Sequence, residues 1–306
     1  MIKLSVIIPT YNRADVLAMT LDSLGKQTVR KDSFEVIIVD DGSNSQQINA
    51  IKKNIHDRQF STRFFRQKHK GPAAARNLGI RKALGEIVLI INDDTVPTRD
   101  LISRHLVFHH KHPQENYGLL GLVTWHPDIE VTPFMQWLEN GGPYFSFNSI
   151  KGRTANWIQF WTCNISLKKR FLLSCGTFDE SFPDAAWEDT ELGYRLSLSG
   201  LILRFDRRAL GYHYHPTTIV SIKNKMVANG RSLHIIKRKI PNQFWPPLAK
   251  YPRILFILDR LFFLAFFARL TTIFPNFFNR CKKCSWLNNL VLLHYRIEGF
   301  WKDNTN

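Results

Sequence analysis

Residues 87–91 read Ile-Val-Leu-Ile-Ile, and the three that follow are Asn92, Asp93 and Asp94. An unbroken aliphatic, largely β-branched run belongs to a strand buried on both faces, and such strands occur in sheets covered by helices above and below. The chain before it repeats the pattern. Residues 4–8 form a short apolar run stopped by Pro9 and Asn12, residues 34–39 form another that ends in Asp40-Asp41-Gly42-Ser43, and residues 62–66 a weaker one. The spacing of Val16, Leu17, Met19, Leu21 and Leu24 predicts a helix over 15–26. A second helix falls around 46–56, and the Ala-rich stretch 71–84, ended by Gly85, is a third. This alternation predicts an α/β domain with a Rossmann-like, doubly wound and mostly parallel sheet.

Sheets of that kind bind ligands outside the carboxyl ends of their strands. Here those ends carry Pro9-Thr10-Tyr11-Asn12-Arg13, Asp40-Asp41 and Asn92-Asp93-Asp94, which should converge on one crevice. Asp and Asn are ordinary turn residues at a solvated strand end, but three polar ends meeting at one place ask for more than turns. Adjacent carboxylates suit Mg²⁺ or Mn²⁺, which share oxygen ligands with substrate phosphates. No Gly-x-Gly-x-x-Gly follows the first strand, which disfavours a dinucleotide oxidoreductase.

The pattern then loosens. Residues 113–160 are rich in Pro, Gly, Asn and aromatics and give no clear period, while 160–167 resume strand character. Residues 187–199 read as a helix with Leu192, Tyr194 and Leu196 as its apolar positions, 201–205 and 209–214 as two strands, and 217–239 as a long basic helix.

The formal net charge of +17 is unevenly placed: residues 1–200 carry 24 Lys/Arg against 21 Asp/Glu, and residues 201–306 carry 18 against 4. Anionic membrane and nucleic acid both suit a basic surface. The aromatics here lie within apolar runs instead of between basic residues, which argues against nucleic acid. The strongly apolar run 254–270 is interrupted by Asp259, Arg260 and Arg269. Its charge-free part falls far short of the roughly 20 residues a spanning helix needs. Two readings follow: the segment lies in a membrane interface with its arginines snorkelling and Trp286 and Trp301 nearby, or it packs as core against the α/β domain or a second subunit. Cys163, Cys175, Cys281 and Cys284 give no disulfide framework, and Cys281-Lys-Lys-Cys284 lacks the second pair of a zinc site. With a strand-like segment at its start, the chain is expected in the cytoplasm.

Several blocks now carry a resemblance. Ser-Val-Ile-Ile-Pro-Thr-Tyr-Asn-Arg (5–13), Val-Asp-Asp-Gly-Ser (39–43), Gly-Pro-Ala-Ala-Ala-Arg-Asn-Leu-Gly (71–79) and Asn-Asp-Asp (92–94) are the first four. Gly-Thr-Phe-Asp-Glu (176–180) and Trp-Glu-Asp-Thr-Glu-Leu-Gly-Tyr-Arg (187–195) continue them. In this order, over about residues 3–240, they resemble the family 2 glycosyltransferases of GT-A fold, of the bacterial polysaccharide-biosynthesis type. The resemblance implies inverting transfer of a sugar from a nucleotide diphosphate sugar, UDP- or dTDP-linked, assisted by Mn²⁺ or Mg²⁺. It makes Asp94 the direct metal ligand and sets Asp93 against the donor sugar or ribose. Asp41 matches the acid that accepts from the nucleotide base, with Asp40 beside it. Pro9, Thr10, Tyr11 and Arg13 match the nucleotide pocket, and Gly71 and Arg76 the donor site, Arg76 meeting phosphates or sugar. Asp189 matches the base that takes the acceptor's proton, Glu188 orients it or touches the acceptor, and Trp187 faces the acceptor.

Tyr-His-Tyr-His-Pro (212–216) resembles the strand-end His-x-His of several family members, in which one imidazole completes the metal site. Alternation on a strand puts both rings on one face; His213 is the favoured ligand, His215 the less favoured. There is no Gln-x-x-Arg-Trp and no set of long membrane-spanning runs, so a single-addition transferase is expected instead of a polymerase. The acceptor would be a glycan or a lipid-linked hydroxyl, and the protein peripheral on the inner face of the cytoplasmic membrane. The expected layout is a nucleotide-sugar half (1–112), an acceptor and catalytic half (113–240) and a basic, hydrophobic helical extension (241–306). Two alternatives stand against this. A nucleotidyltransferase would release pyrophosphate and leaves Glu188-Asp189 without a task, and a basic nucleic-acid-binding protein leaves the acidic strand ends unexplained.

Overall fold

A computed structural model describes residues 1–56, 58–142, 146–241, 264–282 and 284–302. They divide into two compact units: 1–129, 150–180 and 192–215 form the first, and 130–149, 181–191 and the chain from 216 onward form the second.

The first unit holds an eight-stranded sheet. Its strands are β1 (Leu4–Thr10), β2 (Phe34–Asp40), β3 (Ser61–Arg66), β4 (Ile87–Ile91), β5 (Thr95–Pro97), β6 (Tyr117–Trp125), β7 (Asn164–Lys168) and β8 (Ile202–His213), in the order β3-β2-β1-β4-β7-β6-β8-β5. β3, β2, β1 and β4 run parallel, β7 is antiparallel to both β4 and β6, β6 and β8 are parallel, and β5 returns antiparallel beside β8. The sheet is mixed α/β and mostly parallel, as the alternation predicts. Helices α1 (Ala14–Gly25), α2 (Ser45–Ile55), α3 (Pro72–Lys82) and α4 (Leu101–Lys111) belong to it, followed along the chain by α5 (Pro133–Asn140), α6 (Lys169–Ser174) and α7 (Glu188–Leu198).

Every residue of β4 is buried, and the strand lies between β1 and β7. Each aliphatic side chain so enclosed contributes about 1.5–3 kcal/mol. α3 is Ala-rich because it lies close on the sheet: a Cβ added at Gly79 would stand 2.5 Å from Cγ2 of Ile7. It starts with Pro72 in its first turn after Gly71, whose φ of 89° suits glycine. From β1 the chain steps to β2 and β3 on one side, then crosses to β4 on the other. The switch point therefore lies outside the carboxyl ends of β1 and β4, where open α/β sheets bind ligands.

Several sequence expectations need correction. The strand expected over 160–167 begins only at Asn164; residues 157–159 form a tight 3₁₀ turn, because Asn156 and Gln159 make a reciprocal capping box there. The stretch 113–160 contains β6 and α5, and α4 precedes it. The two strands expected at 201–205 and 209–214 are one, β8, whose register against β6 shifts between Gly121 and Leu122: Gly121 faces Asp206 and Leu122 faces Leu210. The basic helix α8 (Lys223–Lys239) starts six residues later than its apolar pattern suggests, after Thr218 and Ser221 cross-bond into a turn. Cys281 and Cys284 are disulfide-bonded, against expectation. α10 (Pro275–Arg280) ends just before them, and their Cα atoms stand 5.5 Å apart, within disulfide range.

In the second unit α8 packs on the last helix, α11 (Ser285–Lys302), with α9 (Leu264–Ile273) and α10 before it. Glycine makes the crossing possible: a Cβ at Gly230 would overlap the Arg296 carbonyl, and one at Gly299 the Val227 carbonyl. Lys223 pairs with Glu298 at 3.6 Å and His234 stacks on Phe300 at 3.8 Å along the same contact. Residues 254–263 of the apolar run lie outside the described residues. Among those described, no helix is long and apolar enough to cross a membrane.

Candidate functional site

The carboxyl ends of β1 and β4 meet through side chains. Thr10 donates to Asp93 Oδ2 at 2.9 Å, and Thr20 on α1 donates to the Asp93 carbonyl at 2.7 Å. Arg13 bridges the two acids, its Nη1 2.9 Å from Asp93 Oδ1 and its Nη2 2.7 Å from Asp94 Oδ2. The end of β8 supplies His213, whose Nε2 lies 3.2 Å from Asp94 Oδ2, while Tyr214 N donates to the Asp94 carbonyl at 2.9 Å. His213 is where it is because β5 pairs Thr95, the residue after Asp94, with His213 itself. His215 lies two residues past the strand and is exposed, its ring 6.0 Å from that of His213.

Both acids are only 4% exposed, and their neighbours drive them apart electrically. Burial and the adjacent Asp94 charge push the Asp93 carboxyl up to about 7, with Arg13 and Thr10 opposing. Burial would raise Asp94 too, but the charge and hydrogen bond of His213, with those of Arg13, hold it well below the usual carboxylate range. One atom is left over. Asp94 Oδ1 is buried without a hydrogen-bond partner, and a bare anionic oxygen beside an imidazole fits a divalent cation. Among the described residues no three ligating side chains gather at one point. A cation held by Asp94 and His213 would complete its shell from phosphate oxygens and water.

The β1 and β2 ends are stapled together. Asn12, in the left-handed region at φ 53°, accepts from Asn44 N at 3.0 Å, and its own N–H donates to Ser43 Oγ at 2.7 Å. Asp40 folds the turn, accepting from Gly42 N at 3.2 Å and Ser43 N at 3.1 Å. Asp41 organises the loop before α3. Its Oδ1 accepts from Gln67 Nε2 at 2.7 Å and Lys70 N at 2.9 Å, and its Oδ2 from Gly71 N at 2.9 Å with His69 Nδ1 also 2.9 Å away. This sets the His69 ring on Tyr11, centroids 4.3 Å apart and 22° from parallel, with Tyr11 half exposed. Pro9 lies in β1 opposite Val39. Arg76 is buried on α3 with its guanidinium 5.4 Å from the Phe178 ring centroid. That ring is fixed by Asn77, which donates to the Phe178 carbonyl at 2.8 Å and accepts from Phe178 N at 2.9 Å.

Pro9, Thr10, Tyr11, Arg13, Asp40, Asp41, Gly71, Arg76, Asp93, Asp94, His213 and His215 all belong to the first unit, whereas Trp187, Glu188 and Asp189 belong to the second. There Trp187 has a left-handed φ of 72° and donates from Nε1 to the Asn229 carbonyl at 3.0 Å. Such a backbone is strained for a bulky side chain. Glu188 is buried, and Asp189 Oδ1 accepts from Thr190 N at 2.7 Å. Arg231 grips Asp184 through both carboxylate oxygens at 3.0 and 2.8 Å, tying this segment to α8. Thr20, Gln67, His69 and Asn77 escape a sequence reading because each acts across a long chain separation; only the His69-Lys70-Gly71 approach to α3 offered a signal.

The fold and the polar strand ends define a GT-A α/β domain. A profile of the family described as "Glycosyl transferase family 2" matches residues 5–161. The chain belongs to that family. Over 79% of its length it is 28% identical to the validoxylamine A glucosyltransferase of Streptomyces hygroscopicus subsp. jinggangensis, and over 78% it is 27% identical to the chondroitin synthase of Pasteurella multocida. These alignments span 63% and 28% of the respective relatives. Among solved structures, a mannosyltransferase from Pyrobaculum calidifontis in complex with GDP-Man and Mn²⁺ shares the fold at TM-score 0.64 and 19% identity, over 98% of this chain and 87% of that one.

Proposed function

We propose that the protein moves one sugar from a nucleotide diphosphate sugar, UDP- or dTDP-linked, to a hydroxyl of a glycan or lipid-linked acceptor, with inversion. The observation that carries this is the cluster of Thr10, Arg13, Asp93, Asp94 and His213 at the switch point of a family 2 sheet. In the proposed reaction the acceptor oxygen attacks the anomeric carbon and the bond from that carbon to the phosphate oxygen breaks. The electron pair leaves with the nucleoside diphosphate, and the acceptor proton passes to Asp189, kept in place by Glu188. A bound Mn²⁺ or Mg²⁺ would neutralise charge growing on the leaving diphosphate.

Asp94 and His213 would hold that cation, with His215 the lesser candidate. Arg13 and Asp93 would turn to the donor, and the near-neutral titration of Asp93 suits a carboxyl that meets a sugar or ribose hydroxyl. Tyr11, stacked with His69, would flank the base beside Pro9 and Thr10. Asp40, Asp41 and Gly71 would shape that pocket, Arg76 would answer the phosphates, and Trp187 would face the acceptor. A screen of nucleotide sugars for Mn²⁺-stimulated release of nucleoside diphosphate tests the class; pyrophosphate release instead would replace it with nucleotidyl transfer. D189N should abolish transfer and leave donor affinity within about twofold. Loss of donor binding in D189N would remove Asp189 from the role of base.

The second unit supports attachment to an anionic membrane surface on the cytoplasmic side. Phe266, Ile273, Phe274, Phe277 and Trp286 are each more than half exposed on α9, the turn after it, α10 and α11, and Arg269 and Arg280 are exposed among them. Aromatics flanked by arginines suit a headgroup interface. Cosedimentation with phosphatidylglycerol vesicles should weaken with salt and in F274S/F277S; no cosedimentation at low salt would exclude it.

A further inference from the structure

The first unit has a second charged recess, a cavity of about 830 Å³ between α4, β8 and the segment around Arg153. None of the residues discussed above as donor-site candidates lines it. Six cationic side chains do: Arg104, Lys111, Arg153, Arg204, Arg207 and Arg208, against two carboxylates, Asp100 and Asp206. Those carboxylates are already engaged. Asp100 pairs with Arg104 at 2.7 Å, and Asp206 with Arg208 at 3.4 Å and Arg104 at 3.9 Å. The charge left over is cationic and lines a volume suited to a small ligand.

The fold makes a specific local effort to put it there. In β8 the register against β6 breaks between Asp206 and Leu210, so that Arg207, Arg208 and Ala209 form a bulge. Bulges re-aim side chains beside functional recesses. This one is clamped at both ends. Asp206 Oδ1 accepts from Arg208 N at 3.0 Å, and Asn164 Nδ2 donates to the Ala209 carbonyl at 2.9 Å. Gly121 opposite leaves room for it, since a Cβ there would overlap both the Ala209 carbonyl and the Asn164 amide. The arginines are also pre-oriented: Arg207 lies 5.4 Å from the Phe205 ring centroid, and Arg204 donates to Thr154 Oγ1 at 3.0 Å. Ordering them beforehand lowers the entropy lost when a ligand is bound.

We propose that this cavity is a second binding site, for a ligand carrying several phosphate groups. Guanidinium forks pair two oxygens of one phosphate, and a lining of six cations against two carboxylates matches a multiply charged anion better than a single carboxylate. The ligand is either a soluble polyphosphorylated molecule or clustered lipid headgroups.

The test uses the full-length protein and inorganic tripolyphosphate, followed by calorimetry at low and high salt. Two variants carry the comparison: R207Q/R208Q in the bulge, and K52Q/K53Q on α2, which removes the same charge elsewhere. Losing two charge-assisted contacts should weaken binding at least about tenfold in R207Q/R208Q, with K52Q/K53Q within about twofold of the unaltered protein. R153Q, on an exposed turn, should weaken it in the same direction and gives the reading if the bulge variant melts early. Equal weakening by R207Q/R208Q and K52Q/K53Q, or no binding by the unaltered protein, overturns the site. Competition by phosphatidylglycerol vesicles, absent with phosphatidylcholine, would identify headgroups as the source; binding that vesicles do not displace would identify a soluble phosphate. Either supports the site.

Discussion

The two charged recesses of the first unit handle charge in opposite ways. At the ends of β1 and β4, Asp93 and Asp94 are 4% exposed and held at 2.7–3.2 Å by Arg13 and His213. Under the β8 bulge the cations stay near water, and the Arg208 side chain is 73% exposed. A desolvated charge is costly unless its partners are fixed, so removing one partner strands the other. A solvated charge can be kept or lost with little effect on folding. The crevice is thus part of how the sheet holds together, whereas the cavity is an addition that the sheet carries. Asn164 connects them: its backbone pairs with Ile91 beside the acids, and its amide holds the bulge.

Three changes would sharpen or break that contrast. The largest effect is expected from D94N, which removes the charge that Arg13 and His213 answer; transfer should fall by about a thousandfold or more at saturating Mn²⁺. A rate within tenfold of the unaltered protein would mean the buried pair serves only folding. Next comes G121A. Its Cβ would collide with Asn164 and the bulge, so stability should drop by about 3 kcal/mol in urea unfolding; a neutral result would show the bulge is free to shift. The smallest effect is in pH. Burial lowers His105 to about 4 and His109 to about 3, and both bond to Ser166 Oγ at 2.7 and 2.9 Å, His105 also to Asn164 at 3.0 Å. The folded chain leaves both neutral while the unfolded chain protonates near about 6.5. Their contribution is therefore complete above that value and shrinks as pH falls from about 6.5 towards 4, at about 1.4 kcal/mol per pH unit for each histidine. H105N/H109Q should flatten the urea midpoint between pH 7.5 and 5.5; an unchanged slope would assign the acid sensitivity elsewhere.

The parallel half of the sheet was legible because β1, β2 and β4 each hold an aliphatic run, at 6–8, 36–39 and 87–91, that needs no partner to be recognised. Their polar ends were legible for the same reason, since a polar residue after such a run marks the sheet's edge. The other half hid its strands. β6 carries Gly118 and Gly121, which resemble loop residues until Asn164 and the bulge are seen to press against Gly121. β8 carries Asp206, Arg207 and Arg208 in mid-strand, which look like a break because they are one: the ladder skips there and then resumes. α4 carries three histidines, His105, His109 and His110, and its helical period is visible only once His105 and His109 are known to face inward. In each case the missing information was a contact with a segment far along the chain.

The glycine-to-carbonyl crossing of α8 and α11 has a consequence for synthesis. Gly230 needs Arg296 as its neighbour and Val227 needs Gly299, and those partners are made 66 and 72 residues later. At about 5–20 residues per second the wait is roughly 3–14 s. The sheet's last strand, β8, is already complete by then, so the order of manufacture lets the first unit close while α8 keeps a bare groove. A chaperone that shields apolar helices should find its target in that interval, and its footprint on nascent chains should vanish once Gly299 emerges.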